Sequence, residues 1–211
     1  MKIIEGEQYT DLWHAVRRGI PTASEMGRII TPAQGKLSAS ADGYIAQLIG
    51  DLLDPFYPRK DSIATAAMRN GTMMEPESRR FYEMDRACEV KQVCFCISDC
   101  GRFGSSVDGL IGDDGCLECK NPSPAVHVSY LLNGTLPIEY KAQVNWHLVV
   151  TGRKWTDFLS YCPGFAPFLV RVEPDDFTKK LAECLEQFHE KYLAALKKLG
   201  LERPSQAEVA A

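Results

Sequence analysis

One short stretch, "SSVDGLIGDDGCLECK" at 105–120, constrains the fold more than any other part of the sequence. The run from Phe103 to Ile111 reads as a strand, "GDDG" is a concentrated turn signal, and "CLECK" reads as a second strand. Strand side chains alternate between faces, so Glu118 and Lys120 are predicted to share one face. The hairpin brings Asp108 alongside them. The sequence thus predicts two carboxylates and an ammonium group at one spot, which suggests a divalent-metal site.

Length and charge exclude several classes of protein. A chain of 211 residues with 45% hydrophobic and 25% charged content is expected to form one domain with a sizeable core. The net charge of -4 indicates no general attraction to nucleic acid. A total charge does not reveal whether the surface carries a local basic patch. The start "MKIIEGEQYTDLW" carries acidic residues where a signal peptide needs an apolar core, and no apolar run is long enough for a membrane span. We therefore expect a cytoplasmic protein.

The eight cysteines include two groups with spacings that metal sites also use. Cys94, Cys96 and Cys100 form one group, and Cys116 and Cys119 form the other. In an extended strand, Cys116 and Cys119 point to opposite faces, whereas a zinc knuckle needs a turn between its ligands. We predict reduced cysteines that pack in the core, with a zinc or iron–sulfur site as the alternative.

The remaining patterns predict a mixed α/β fold in which helices flank a sheet. Helices are predicted at about 8–18, from Thr22 or Ser24 onward, at 41–53, in two stretches within 62–85 with Pro76 in the first turn of the second, at 124–133, at 138–151 and at the C-terminus. A loop is predicted at 31–40, three consecutive antiparallel strands within 88–120, and further strands at 154–161 and 167–173. The predicted single domain covers 1–200, with N-terminal helices at about 8–87, a sheet core at about 88–175 and a last helix at about 176–199, followed by a flexible tail at 201–211.

Five motifs extend the hairpin pattern and carry a family resemblance. Asp108, nine intervening residues and then Glu118-Cys119-Lys120 resemble the D…ExK signature of the PD-(D/E)xK nuclease superfamily. The segments "LWHAVRRGIPTASEMGRI", "GTMMEPESRRFYE", "SSVDGLI", "LECKNP" and "YKAQVNWHLVVTG" resemble, in the same order, motifs of the phage lambda exonuclease and YqaJ-like viral recombinase nucleases. The resemblance covers about 10–175. It implies a restriction-endonuclease-like fold, with a mixed central sheet flanked by helices.

The resemblance also implies an active site. Its catalytic residues would be Asp108, Glu118, Lys120, Glu75 and Gln143. Asp108, Glu118, the backbone carbonyl of Cys119 and, directly or through a water, Glu75 would hold two Mg²⁺ ions, with Mn²⁺ as an alternative. Such cations activate water and neutralise the charge that develops when a phosphodiester is hydrolysed.

Two further positions resemble the family's pocket for a 5′-terminal phosphate. They are Arg17 and Ser24, and the adjacent Arg18 leaves open which arginine binds the phosphate. Arginine suits bidentate phosphate binding. Position 145, two residues after Gln143, is Asn rather than the second Gln of the family pattern, so no DNA contact is assigned to Asn145 or His147.

Three function classes follow. The favoured one is a metal-dependent 5′→3′ double-strand DNA exonuclease that produces 3′ single-stranded overhangs for phage-type recombination. The resemblance implies a ring-shaped homotrimer that works with a single-strand annealing protein. The closest alternative is an endonuclease or repair nuclease of the same fold. The third is a nonenzymatic binding module, with metal on its cysteines and structural acids.

Overall fold

The computed structural model describes residues 1–54 and 66–202, with the backbone alone for 66–70. Its helices are α1 (Asp11–Val16), a 3-10 helix (Ala23–Arg28), α2 (Ala41–Leu53), α3 (Ala66–Arg86), α4 (Pro124–Asn133), α5 (Ile138–Thr151) and α6 (Asp176–Lys198). Its strands are β1 (Lys2–Ile4), β2 (Ile30–Thr31), β3 (Lys36–Leu37), β4 (Val90–Lys91), β5 (Phe95–Ile97), β6 (Gly104–Ser105), β7 (Gly109–Ile111), β8 (Gly115–Lys120), β9 (Trp155–Ser160) and β10 (Phe168–Val172). The part of the predicted tail from 203 onward, and residues 62–65 of the predicted helical stretches, lie outside the described residues.

A mixed five-stranded sheet forms the centre of the fold, in the order β10-β9-β8-β7-β4. Only the β8–β9 pair in this sheet is parallel, and α4 and α5 form the crossover between these two strands. Helix α3 packs on one face through Tyr82, against Leu117 and Leu159, while α4 and α5 cover the other face. The mixed α/β sheet predicted from the sequence is confirmed.

Helix α5 is enclosed by the protein and is therefore fixed in place. Its Trp146 and Val150 pack with α6 residues that include Leu185 and Phe188. The apolar stripe on α6 matches the amphipathic pattern of the sequence, and the helix begins with a capping box between Asp175 and Thr178. Polar residues that α5 directs at the sheet are thereby held at fixed positions.

The region from 88 to 120 differs from the prediction of three consecutive strands. Five short strands occupy it, and they belong to two sheets, because β5 and β6 pair with β1 in a separate three-stranded sheet. The strand predicted from Phe103 to Ile111 is broken between β6 and β7, where the chain passes from one sheet to the other. Neither β1 nor the β2–β3 hairpin within the predicted 31–40 loop was expected, since strands of two or three residues leave little periodicity to detect.

Two helix predictions are wrong at their starts. Pro76 lies inside α3 rather than in its first turn. An internal proline removes one backbone hydrogen bond, and packing of α3 against the sheet outweighs that loss. Helix α1 begins at Asp11 instead of about residue 8, because Tyr9 has a φ of 65°, which is incompatible with a helix, and Thr10 caps the helix by accepting from the Trp13 N–H at 3.3 Å.

A buried ionic group ties α3 to the sheet on the side away from α5. The Asp157 carboxylate is fully buried and accepts hydrogen bonds from Tyr82 Oη at 2.6 Å and from Arg171 Nε and Nη2 at 2.7 and 2.8 Å. The Arg171 guanidinium in turn stacks on Trp155, 3.6 Å from the ring centroid. A buried carboxylate needs all of these donors, because each lost bond leaves charge uncompensated.

Tyr82→Phe should therefore lower the free energy of unfolding by about 1–3 kcal/mol, the usual cost of removing one partner of a buried polar group. Tyr161→Phe is the matched control, since its hydroxyl also bonds a carboxylate, that of Glu77, at 2.9 Å but at the surface. We expect this control to change stability by less than about 0.5 kcal/mol. Urea unfolding would measure both variants, and equal effects would contradict a special role for the Asp157 group.

None of the helices in the described residues is both long and apolar enough to cross a membrane.

Candidate active site

The predicted hairpin brings its acids together. Asp108 stands immediately before β7, and the β7–β8 register pairs Gly109 with Leu117. Asp108 donates its backbone N–H to the Leu117 carbonyl at 3.1 Å, and its Oδ2 accepts from the Cys119 N–H at 2.7 Å. The Asp108 carboxylate thus reaches across to the strand that carries Glu118. It does so from the connection between two sheets, not from the middle of a strand as the sequence predicted.

Glu118 is buried, with 1% of its surface exposed, and is held on both oxygens. Its Oε1 accepts from Lys120 Nζ and, at 2.6 Å, from Gln143 Nε2. Its Oε2 contacts His147 Nε2 at 2.7 Å. Alternation along β8 puts Lys120 on the same face, as predicted, while Cys119 packs on the opposite face with Leu117.

His147 is a site residue that the sequence analysis did not assign. Because a carboxylate only accepts hydrogen bonds, its contact with Glu118 requires the hydrogen on Nε2, and His147 Nδ1 then contacts Ser105 Oγ at 2.6 Å. The residue is fully buried. Its signal in the sequence was its spacing of four from Gln143, which puts both side chains on one face of α5.

Helix α3 adds a third carboxylate through Glu75. Arg79, one turn further along, donates from Nη1 to Glu75 Oε1 at 2.7 Å and to the backbone carbonyl of Asp108 at 2.9 Å. Arg79 therefore ties Glu75 to the hairpin. The sequence analysis missed Arg79, although its spacing of four from Glu75 is a detectable helix pair.

The electrostatics of the cluster follow from its crowding. Burial, and then the charges of Glu118 and Glu75, raise the pKa of Asp108 well above its usual value. Burial alone would raise the pKa of Glu118, but Lys120 and the His147 hydrogen bond lower it to about 2. Burial would lower the pKa of Lys120, yet the carboxylates of Glu118 and Asp108 raise it above its ordinary value. These interactions favour the charged forms of Glu118 and Lys120, whereas burial and the neighbouring carboxylates disfavour the charged form of Asp108.

The residues of the predicted phosphate pocket lie near the N-terminus. Arg17 directly follows α1, and Ser24 lies in the 3-10 helix. Arg17 Nη1 donates to Ser106 Oγ at 2.8 Å, and Nη2 reaches Ser24 Oγ at 3.3 Å. The Arg17 guanidinium lies over the Trp13 ring, 4.1 Å from its centroid, and Trp13 Nε1 donates to Ser106 Oγ at 2.9 Å. The geometry brings Arg17 and Ser24 together as expected, and it adds Trp13 and Ser106, which the sequence analysis did not assign.

The pocket adjoins the acids. Ser106, which contacts Arg17, is two residues before Asp108. Ser24 is exposed in the first turn of the 3-10 helix, so it and Arg17 can be reached by a ligand. A cavity of about 200 Å³ is lined by residues that include Glu75, Arg79 and Asp108.

The cysteines show no metal-site geometry in the part of the chain that the structure describes. All eight are free, and Cys94 and Cys96 pack in different core clusters. Burial raises the pKa of the Cys96 thiol to about 12 and that of Cys116 to about 11, which disfavours the thiolate that metals bind. Across the described ranges, no three His, Cys, Asp or Glu side chains are grouped to hold an ion by themselves.

Comparison with known proteins assigns the chain to a family. It is 29% identical to an alkaline exonuclease from Laribacter hongkongensis, with a TM-score of 0.73 over 90% of this chain and 98% of that one. A second structure of that exonuclease, in complex with dAMP, gives the same identity and coverage with a TM-score of 0.72. A phage-related exonuclease from Haemophilus somnus 129PT shares the fold alone, at 8% identity and a TM-score of 0.54 over 92% of this chain and 97% of that one.

These structures confirm the predicted PD-(D/E)xK-type fold. No curated protein matches the chain. Residues 12–154, which include the acids, Arg17, Ser24, Ser106 and all of α5, match the YqaJ-like viral recombinase domain. The chain therefore belongs to the YqaJ-like viral recombinase family.

Proposed function

We propose that the protein is a metal-dependent exonuclease that digests duplex DNA from 5′ ends and leaves 3′ single-stranded overhangs. The observation that carries the proposal is the pairing of Arg17 with Ser106, two residues before Asp108, whose carboxylate reaches the strand that carries Glu118 and Lys120. The similar protein from Laribacter hongkongensis is an alkaline exonuclease, and it has been captured with dAMP. A nucleoside monophosphate is the product that stepwise digestion releases.

The acidic residues fit a divalent cation of the magnesium type. Mg²⁺ is commonly bound by one or two carboxylates and keeps several waters, so it does not require three protein side chains. Asp108, Glu118 and the Cys119 carbonyl would hold it, with Glu75 reached directly or through water. Burial, and then the charges of Glu118 and Glu75, raise the pKa of Asp108, and a bound cation would favour its charged form. When bound, such ions polarise the phosphodiester and make a bound water more nucleophilic.

Lys120 would orient the attacking water and offset the charge of the scissile phosphate. Burial would lower the pKa of Lys120, but the carboxylates of Glu118 and Asp108 raise it, which favours the ammonium form, a hydrogen-bond donor and a positive charge. Gln143 and His147 would hold the Glu118 carboxylate in one orientation.

The arginine pocket favours an exonuclease over the endonuclease alternative. An endonuclease does not need to bind a terminal phosphate. A site that binds one near the acids would put the cleaved bond at a fixed distance from the strand end. Arg17 with Ser24 and Ser106 offers one guanidinium and two hydroxyls for a phosphate. Two ions per site, the homotrimeric ring and the single-strand annealing partner stay predictions.

The test is digestion of linear duplex labelled at the 5′ or the 3′ end, with magnesium, manganese or EDTA, beside nicked and closed circles. We expect metal-dependent early loss of the 5′ label and intact circles. Cleavage of closed circles would replace the proposal with an endonuclease. Absence of cleavage with either metal would overturn the nuclease function.

His147→Ala should lower both metal affinity and turnover by about 10- to 100-fold, the usual effect of removing a residue that orients a ligand. The physical reason is the loss of the donor that holds Glu118 Oε2. Calorimetric titration with Mn²⁺ and rate measurement would check it. His127→Ala is the matched control, because His127 is equally buried and bonds Ser160 at 2.8 Å. Equal loss of metal affinity in both variants would indicate a general defect of folding.

A further inference from the structure

Tyr9 is an aromatic residue held in an unusual position at the edge of the site. It is 56% exposed, and its φ of 65° falls in the left-handed region that favours glycine. This backbone conformation costs free energy for every residue except glycine, and more than half of the Tyr9 side chain is exposed. An observed outlier of this kind is a reason to look for function.

The surroundings of Tyr9 place it between the two halves of the site. Its ring lies 5.0 Å from that of Trp13, which in turn carries the Arg17 guanidinium. On its other side Tyr9 lines the cavity that Glu75 and Asp108 also line. The charges of both acids act on the Tyr9 hydroxyl. Tyr9 therefore stands beside the path from the arginine pocket to the acids.

We propose that Tyr9 stacks against the nucleobase of the 5′-terminal nucleotide. This inference rests on the proposed function: with the terminal phosphate at Arg17 and the next phosphate at Asp108, the intervening sugar and base belong beside Tyr9. Every base has a π-face, so stacking on an aromatic ring holds the terminal nucleotide without selecting its sequence. That tolerance suits an enzyme that must process any end.

A structural role competes with this proposal. The Tyr9 hydroxyl hydrogen-bonds the side chain of Thr72 on α3, so Tyr9 also tethers the N-terminal segment. The two roles use different parts of the side chain. Tyr9→Phe removes the tether and keeps the ring, while Tyr9→Gly removes the ring and suits the backbone φ of 65°.

The experiment measures binding in EDTA, so that no cleavage is needed. Two 5′-phosphorylated duplexes are compared, one with 2-aminopurine and one with an abasic site at the 5′-terminal position. We expect the protein and Tyr9→Phe to bind the first about 5- to 100-fold more tightly, the range of one base–aromatic stack. For Tyr9→Ala and Tyr9→Gly this ratio should approach one, with brighter 2-aminopurine fluorescence. Leu12→Ala, an exposed neighbour without a ring, should keep the ratio of the unaltered protein.

An unchanged ratio in Tyr9→Ala and Tyr9→Gly would overturn the proposal, as would a ratio lost in Tyr9→Phe. Its failure is distinct from failure of the proposed function. Normal 5′ digestion with an unchanged ratio would remove the role of Tyr9 alone. A Tyr9-dependent ratio without magnesium-dependent digestion would remove the exonuclease alone, and no binding of either duplex would overturn both.

Discussion

Lys120→Met should reduce the kcat/KM of magnesium-dependent digestion by about 10²- to 10³-fold, the usual loss when one donor to a developing negative charge is removed. Met retains the length and the apolar stem of the side chain but removes the ammonium that contacts Glu118. Lys120 is 26% exposed, and Gln143 and His147 still bond Glu118 in the variant. Folding and DNA binding should therefore survive, and initial rates with 5′-phosphorylated duplex would measure the loss.

Lys154→Met is the matched control for this experiment. Lys154 also pairs with a carboxylate, that of Asp114 at 3.0 Å, but it lies on the surface at the hairpin turn. Removing that surface pair should leave the rate within about twofold of the unaltered protein, since such pairs contribute little. Asp108→Asn should match Lys120→Met in rate loss. Retained turnover in either site variant would refute the assigned site.

The parts of the site that the sequence predicted are those fixed by short-range geometry. Glu118 and Lys120 share a face because strand side chains alternate, and a tight turn brings Asp108 to them. Gln143 and His147 share a helix face for a similar reason, so His147 was within reach of the same argument. What hid it was its burial beneath Glu118, which no helix pattern reveals.

The parts that the sequence did not predict depend on distant contacts. Ser106 bonds Arg17 across 89 positions, and it lies where the chain passes from β6 in the three-stranded sheet to β7 in the five-stranded sheet. Arg79 reaches the Asp108 carbonyl across 29 positions, and this contact depends on the packing of α3. Short strands and a proline inside a helix arise from the same tertiary packing, which overrides local propensity.

Arg17→Ala should slow digestion of 5′-phosphorylated ends by about 10- to 100-fold, the range for losing a hydrogen bond to a charged group. Digestion of 5′-hydroxyl ends should change much less, because those ends lack the phosphate that Arg17 would bind. The guanidinium bonds the Ser106 and Ser24 hydroxyls and lies over the Trp13 ring, and a phosphate bound there would accept charge-assisted hydrogen bonds from it. Initial rates on paired substrates that differ only at the 5′ end would measure the difference.

Arg18→Ala is the matched control, because the sequence left open which of the two arginines binds the phosphate. It removes the same charge from the next position, while Ser106 and Ser24 lie against Arg17. We expect Arg18→Ala to preserve the preference for phosphorylated ends. Loss of that preference in Arg18→Ala alone would move the pocket to Arg18. Equal losses on both kinds of end in Arg17→Ala would remove the phosphate pocket, and with it the structural argument for starting at a strand end.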